Sequence, residues 1–565
     1  MTDHAHQRTG GQLLVDALIH QGVERIFCVP GESYLAVLDA LHDKQDNIDL
    51  IVCRQEGGAA YMAEAYGKMT GKPGICFVTR GPGATNASIG VHTAFQDSTP
   101  MVLFIGQVAS DQVEREAFQE IDYRRMFGQM AKWVVQIDDP ARIPELVSQA
   151  FHRALNGRPG PVVVALPEDM LTSLAIAQDV PAARQVEMHA APSQLQEMLE
   201  HLSQAKRPML IAGGGGWNKE AVANLQRFAE HMHIPVAASF RCQDLFNNLH
   251  PLYAGDLGTA VGPQLAESIR QADLLLVLGA RLGEMTTQGY ALVEAPVPQQ
   301  KLIHIHTGAE ELGRVYYPTL GINASMPAFC REAAKLAPIH NPADKPVWQD
   351  WTQKLHQDFL QHIQTPTIPG KVQMGEIMEW LKAHVKADTI ITNGAGNYSS
   401  WAHRFYQYNQ FRTQLAPTNG SMGYGVPAAI AAKLQYPERM VLGFAGDGCF
   451  LMNGQELATA AQYGANVIFI VINNGMYGTI RMHQERTYPA RVSGTGLQNP
   501  DFAALARAYH CHAELVEKTE DFAPAFERCE KSGKPSLIEI RIDPEALSPK
   551  MTLSQMREQG FAKQK

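Results

Sequence analysis

The chain has 565 residues, 45% of them hydrophobic and 19% charged, so a large core can be buried without crosslinks, and length alone allows about three or four domains. A formal net charge of −9 excludes a general binder of nucleic acid or of anionic membranes. The eight cysteines (28, 53, 76, 242, 330, 449, 511, 529) form no C-x-x-C pair and no metal-ligand spacing, which predicts reduced, mostly buried thiols and a cytoplasmic location.

Met1 to Gly11 is polar and His-containing, without the apolar stretch of a secretory signal, and no run approaches the ~18 apolar residues of a membrane span. A first block, residues 1–176, alternates strand-like and helix-like segments. Its apolar strand Leu50-Ile51-Val52 leads into Arg54-Gln55-Glu56-Gly57-Gly58, which places Glu56 where a strand passes into a helix. The simplest role for Glu56 is a first-turn acid on the helix dipole. Gly160 to Pro167 is the last clear strand of this block, and the Gln-, Pro- and Ala-rich segment from Ala177 to Pro192 reads as a linker. A second block, 193–335, contains the strand Pro208 to Ala212, the run Gly213 to Gly216, and a second strand from Ala272 to Gly279. Residues 336–370 form another Pro- and His-containing connection, and a third block occupies 371–550. Strands alternating with helices throughout predict an α/β protein of three doubly wound domains with mostly parallel sheets. The first and third blocks read as a matched pair.

The third block carries the most specific pattern. A short apolar strand, Val441 to Ala445, ends in Gly446-Asp447-Gly448. Helix formers follow from Gln455 to Tyr463, then a second strand from Val467 to Ile472 ends in Asn473-Asn474. The glycines let the backbone turn and approach a ligand closely. An Asp carboxylate and an Asn amide oxygen are hard ligands, and with a backbone carbonyl and diphosphate oxygens they complete the octahedron that Mg²⁺ demands. Both fall where strands end, the usual ligand position in open α/β sheets.

With these residues, and with Val29-Pro30-Gly31-Glu32, Thr79-Arg80-Gly81-Pro82-Gly83-Ala84-Thr85-Asn86, Ala117-Phe118-Gln119-Glu120 and Met422-Gly423-Tyr424-Gly425, the chain resembles the thiamine-diphosphate enzyme superfamily over nearly its whole length, in the order pyrimidine-binding, central, diphosphate-binding domain. Within it the chain is most similar to the acetolactate synthase-like group. The resemblance implies thiamine diphosphate and Mg²⁺ as cofactors, with Asp447, Asn474 and the Met476 carbonyl on the metal. Gly446, Gly448, Cys449, Tyr477 and Gly478 line the diphosphate, with Ala395, Asn397 and Tyr398 on its other side. Met422 props the cofactor into its bent shape. In the first block it implies contacts from Pro30, Thr79 and Asn86, a catalytic Gln119, and Glu56 against the aminopyrimidine nitrogen, delivered by a partner subunit. A homodimer is thus the minimum unit, and a tetramer is open. The implied reaction is decarboxylation of a 2-oxo acid, pyruvate first, and ligation of the acyl unit to a second carbonyl. Simple decarboxylation to an aldehyde is the alternative, and a catalytically inert homologue is a third.

The departures bear on substrate. His483 stands where biosynthetic relatives carry Trp, and with Ile480 and Phe118 it belongs to the implied substrate pocket. Arg80 replaces a small residue; it either clamps a substrate carboxylate or pairs with a neighbouring acid. His306 and Gly308 replace the two acids of FAD-containing relatives, while Gly279-Ala280-Arg281 matches them, so FAD is the weaker of the candidate cofactors.

Overall fold

The computed structural model describes residues 7–339 and 346–564. The reading of residues 1–6 as part of a polar N-terminus, and of 340–345 as part of a connection, therefore lies outside the described residues. Contacts divide the chain into two compact units. The first holds the chain up to Val186 together with Ile430–Gln435 and Asn453–Tyr463; the second holds Glu187–Ala429, Tyr436–Met452 and everything from Gly464.

In the first unit, strands β1 (Arg25–Cys28), β2 (Asp49–Val52), β3 (Gly74–Val78), β4 (Met101–Gln107), β5 (Trp133–Gln136) and β6 (Pro161–Pro167) form a parallel sheet in the order β2-β1-β3-β4-β6-β5. β3, β4 and β6 are apolar runs buried along their whole length, as a sheet covered by helices on both faces requires. Helix α1 (Glu56–Thr70) starts where the Gln55 side chain accepts from the Gly58 N–H and stops at Gly71, whose φ of 76° is left-handed. Helix α2 (Gly81–Asp97) follows β3 with Pro82 in its first turn.

The second unit contains two sheets. The central one comprises β7 (Pro208–Ala212), β8 (Val236–Ala238), β9 (Tyr253–Asp256), β10 (Leu274–Leu278), β11 (Lys301–His306) and β12 (Leu320–Asn323), parallel, in the order β9-β8-β7-β10-β11-β12. That is the 3-2-1-4-5-6 order of dinucleotide-binding folds. The last sheet comprises β13 (Ile390–Asn393), β14 (Gln414–Leu415), β15 (Val441–Gly446), β16 (Ile468–Asn473), β17 (His512–Val516) and β18 (Ser536–Arg541), again parallel, in the order β14-β13-β15-β16-β18-β17. Numbered within each sheet, the first and last share the order 2-1-3-4-6-5. Helices α3 (Asp447–Phe450), α4 (Gly478–Thr487) and α5 (Leu553–Gln564) belong to this second unit. Three parallel-sheet α/β folds are thus present, as the alternation of segments predicts. The segment Asn453–Tyr463, which the linear reading assigns to the third block, packs in the first unit. No helix among the described residues is long and apolar enough to cross a membrane.

Candidate functional site

In the second unit a cleft enclosing about 800 Å³, solvent at its mouth included, opens at the C-terminal ends of β13, β15 and β16. Ala395, Asn397, Tyr398, Met422, Gly446, Asp447, Gly448, Cys449, Asn474, Met476, Tyr477, Gly478 and Ile480 all line it, so the structure gathers every candidate residue of the third block except His483. His483 points to solvent on α4 and does not line the cleft. It stands one helical turn beyond Ile480, which lines the cleft.

Asp447 is 4% exposed at the start of α3. One carboxylate oxygen accepts from Gly448 N at 2.9 Å; the other accepts from Gly475 N at 2.9 Å and from Asn499 Nδ2 at 2.8 Å. Burial pushes its carboxyl above the ordinary range, and these bonds pull it back. Asn474 follows β16, and its Oδ1 accepts from Met476 N at 3.3 Å. Gly475, with φ of 70°, lets the chain turn back between them. The glycines are needed for close approach: a Cβ on Gly448 would lie 2.5 Å from the Tyr477 ring, and one on Gly446 2.7 Å from the Tyr398 ring. Tyr398 in turn meets Cys449 Sγ through its hydroxyl at 3.2 Å and accepts from Gly394 N at 3.0 Å. Asn397 Oδ1 accepts from Thr479 Oγ1 at 3.0 Å, which ties the β13 loop to α4.

The donor set fits a diphosphate-bound metal rather than a protein-only cage. Among the described residues no cluster of three or more His, Cys, Asp or Glu could hold a metal ion. Mg²⁺ characteristically takes one or two carboxylates and leaves the remaining positions to phosphate and water. The buried Asn499 Oδ1, on the side chain whose Nδ2 donates to Asp447, has no hydrogen-bond partner.

In the first unit the other candidates collect around the start of α2. Glu56 Oε2 accepts from Asn86 Nδ2 at 2.9 Å. Thr79 Oγ1 lies 3.0 Å from Ser33 Oγ, and its side chain fills the space a Cβ on Gly31 would need; exposed Pro30 immediately precedes that glycine. Gln119 has φ of 66°, and its carbonyl accepts from Gly81 N at 3.0 Å. Arg80, 7% exposed, donates to Glu32 at 3.0 Å and to the Phe118 carbonyl at 3.4 Å, with Glu168 at 3.6 Å. Phe118 itself is 71% exposed.

Sequence reasoning missed Asn499, which bridges Asp447 and Asn473 across strands, and Glu456, a fully buried acid accepting from Arg54 N and Gln55 N beside Glu56. Nothing local to Glu456 distinguishes it from a helix-forming surface residue.

In the central sheet, Gly214 and Gly279 (φ of 70° and 72°) pack the β7 and β10 loops together; Cβ atoms there would come within 2.0 and 2.5 Å of the Gly279 and Gly213 carbonyls. His306, 2% exposed, accepts at Nδ1 from Gly308 N at 2.9 Å.

Three family models match the chain: the N-terminal TPP binding domain of thiamine pyrophosphate enzymes over residues 8–126, their central domain over 195–333, and their C-terminal TPP binding domain over 394–540. Similar proteins include the acetolactate synthase large subunit of Corynebacterium glutamicum, 32% identical over 95% of this chain and 87% of the relative. The Lactococcus lactis large subunit is 32% identical over 94% of this chain and 92% of its own. A probable large subunit from Methanocaldococcus jannaschii is 31% identical over 96% and 93%. The chain belongs to the thiamine pyrophosphate enzyme family, in its acetolactate synthase large-subunit group. It is an enzyme that depends on thiamine diphosphate.

Proposed function

We propose that the protein decarboxylates a 2-oxo acid, pyruvate first among them, and ligates the two-carbon acyl unit to the carbonyl of a second 2-oxo acid, as an acetolactate synthase does. The cleft at β13, β15 and β16, with buried Asp447 facing the Asn474 loop, is the observation that supports this most directly. Thiamine diphosphate supplies, when bound, a thiazolium carbon acid that adds to the ketone and accepts the electrons released with CO₂. Asp447, Asn474 and the Met476 carbonyl would hold Mg²⁺ against the diphosphate, and Gly446, Gly448, Cys449, Tyr477 and Gly478 with Ala395, Asn397 and Tyr398 would enclose it. Met422 supports the bend of the cofactor.

Glu56 would hold and exchange a proton with the aminopyrimidine nitrogen of a cofactor bound by a second copy of the chain. The working unit is therefore a homodimer at least, and dimers pairing into a tetramer remain compatible with it. Pro30, Thr79 and Asn86 border that ring, and Gln119 with Phe118 and Ile480 borders the substrate. Arg80 is committed to Glu32 and the Phe118 carbonyl, which favours the pairing role: it steadies the Phe118–Gln119 loop instead of clamping a carboxylate. The functional domains on this reading are 1–176, 193–335 and 371–550. FAD stays the weaker candidate cofactor, and the colour of the purified enzyme decides it: a flavin absorbance band would establish it. Eight cysteines without a disulfide suit the cytoplasm.

Product identification tests the assignment. Pyruvate with thiamine diphosphate and Mg²⁺ should give a product that yields acetoin on acid treatment. Acetaldehyde alone would replace ligation by simple decarboxylation, and absence of proton exchange at the thiazolium carbon would mean an inert homologue.

A further inference from the structure

Glu456 lies on the segment Asn453–Tyr463, far from Glu56 in sequence but in the same compact unit. Its side chain is fully buried, and its Oε1 accepts from both Arg54 N and Gln55 N at 3.0 Å, the two N–H groups just ahead of Glu56. Its Oε2 accepts from Thr459 Oγ1 at 2.5 Å. Gly58 makes room for it: a Cβ there would lie 2.7 Å from Glu456 Oε1. Burial pushes the Glu456 carboxyl above the ordinary range while these three donors pull it back.

The same segment secures the strand that leads into Glu56. β2 is an edge strand, so half its backbone groups lack a neighbouring strand. The Tyr463 hydroxyl accepts from Val52 N at 2.8 Å and donates to Leu50 O at 3.3 Å, and Gln462 accepts from the Arg54 guanidinium at 2.5 Å. Residues 50–55 are therefore splinted by side chains from one short helical stretch. Gln55 is extended, with φ of −156° and ψ of 142°, so the peptide planes on either side of it decide where Glu56 begins its helix.

We propose that Glu456 is a positioning residue for Glu56: it fixes the Arg54-Gln55 backbone so that the Glu56 carboxylate, held at its far end by Asn86, stands in one place. This rests on the role proposed above for Glu56. A carboxylate that must meet a ring nitrogen is sensitive to small displacement, and an error of about 1 Å costs on the order of 100-fold in rate.

The test uses the full chain with and without thiamine diphosphate and Mg²⁺. In unloaded protein, Glu456→Ala should accelerate amide deuterium uptake in the peptide covering Arg54 to Gly58 and leave peptides of the last sheet unchanged. In the loaded enzyme it should slow thiazolium proton exchange and kcat about 10- to 100-fold, with KM for pyruvate little changed. Glu456→Gln, which keeps an acceptor for both N–H groups, should restore both readouts, and Thr459→Val should fall between. Native amide protection in Glu456→Ala, or a Glu456→Gln variant as impaired as the alanine, overturns the proposal. Wild-type proton exchange in Glu56→Gln would instead overturn the role of Glu56 and leave the amide result standing.

Discussion

The clasp on the C-terminal helix offers a quantitative test of how the cleft is held. Glu485, in α4, is fully buried, and its carboxylate is surrounded by donors. Arg557 in α5 donates from Nε and Nη2, each at 2.9 Å; Arg481 donates from Nε at 2.9 Å; Ala490 N donates at 2.9 Å. α4 carries Gly478 and Ile480 of the cleft wall, while Leu553 and Met556 of α5 pack with Leu547, Met476 and Met482. Arg557→Ala removes two hydrogen bonds to a charged group, each contributing about 1.5–3 kcal/mol. Arg557 is one-third exposed and Arg481 remains, so the loss should be about 2–3 kcal/mol. Glu485→Ala, which strands two guanidinium groups and an N–H, should cost about 3–5 kcal/mol.

Hydrogen exchange of peptides within 553–564 is the assay. A loss of 2–3 kcal/mol should accelerate their exchange by about 30- to 150-fold, and the double variant should cost less than the sum of the singles. The concentration of cofactor needed for half-maximal activity should rise, because the wall carrying Gly478 is loosened. A pH signature follows as well. The Arg557 guanidinium, the Ala490 N–H and Arg481 hold the Glu485 carboxyl down at about 2, from an ordinary value near 4.5. A depressed folded value means that the stabilisation is fully present above pH 4.5 and is lost as pH falls through about 2. Glu485→Gln should flatten that acid limb. Unchanged exchange in Arg557→Ala, or an acid limb identical to wild type in Glu485→Gln, would refute the reasoning.

Three other substitutions bear on the proposed chemistry. Glu56→Gln should retain the cofactor yet lose most thiazolium proton exchange, read by acid quench and NMR; an unchanged rate rules the role out. Asp447→Asn keeps one acceptor, for either Gly448 N or Gly475 N, and sets an amide NH2 against the other, so it should weaken Mg²⁺-dependent cofactor binding by at least about tenfold in titration calorimetry and also cost some stability. Equal affinity in both proteins would move the metal elsewhere. Arg80→Ser should lower kcat for neutral and carboxylate acceptors alike, because the loop it steadies serves both; a loss confined to KM for carboxylates would make it a clamp instead.

What the sequence made legible was local. Gly446-Asp447-Gly448 and Asn473-Asn474 stand out because apolar strand runs end in them, and strand ends are where parallel sheets bind ligands. The ladder between β15 and β16 extends one residue beyond the first apolar run, to Gly446 opposite Ile472, since backbone pairing does not stop where hydrophobicity does. What stayed hidden was long-range. Glu456 meets Arg54 across 402 positions, and Glu485 meets Arg557 across 72; periodicity identifies an element but not its partner. His483 was a motif position without a direction. His483 follows Ile480 by one helical turn, and nothing in the spacing tells that its side chain is exposed.

The shared strand order of the first and last sheets explains why the candidate residues come in parallel series. After the first strand stand Pro30 in one sheet and Ala395, Asn397 and Tyr398 in the other; after the second, Glu56 and Met422. After the third stand Thr79, Arg80 and Asn86 against Asp447 and Cys449; after the fourth, Phe118 and Gln119 against Asn474 to Ile480. The same four loops were thus given different chemistry on equivalent frames. The third loop shows the consequence most clearly. Where the last sheet presents a buried carboxylate, the first presents a buried guanidinium paired to Glu32. A guanidinium repels a divalent cation at that position, at close range by several kcal/mol in a partly buried setting. On the proposed reading, only one frame can take the metal-bound diphosphate, and the acid needed at the other end of the cofactor is supplied from the edge strand β2, at Glu56.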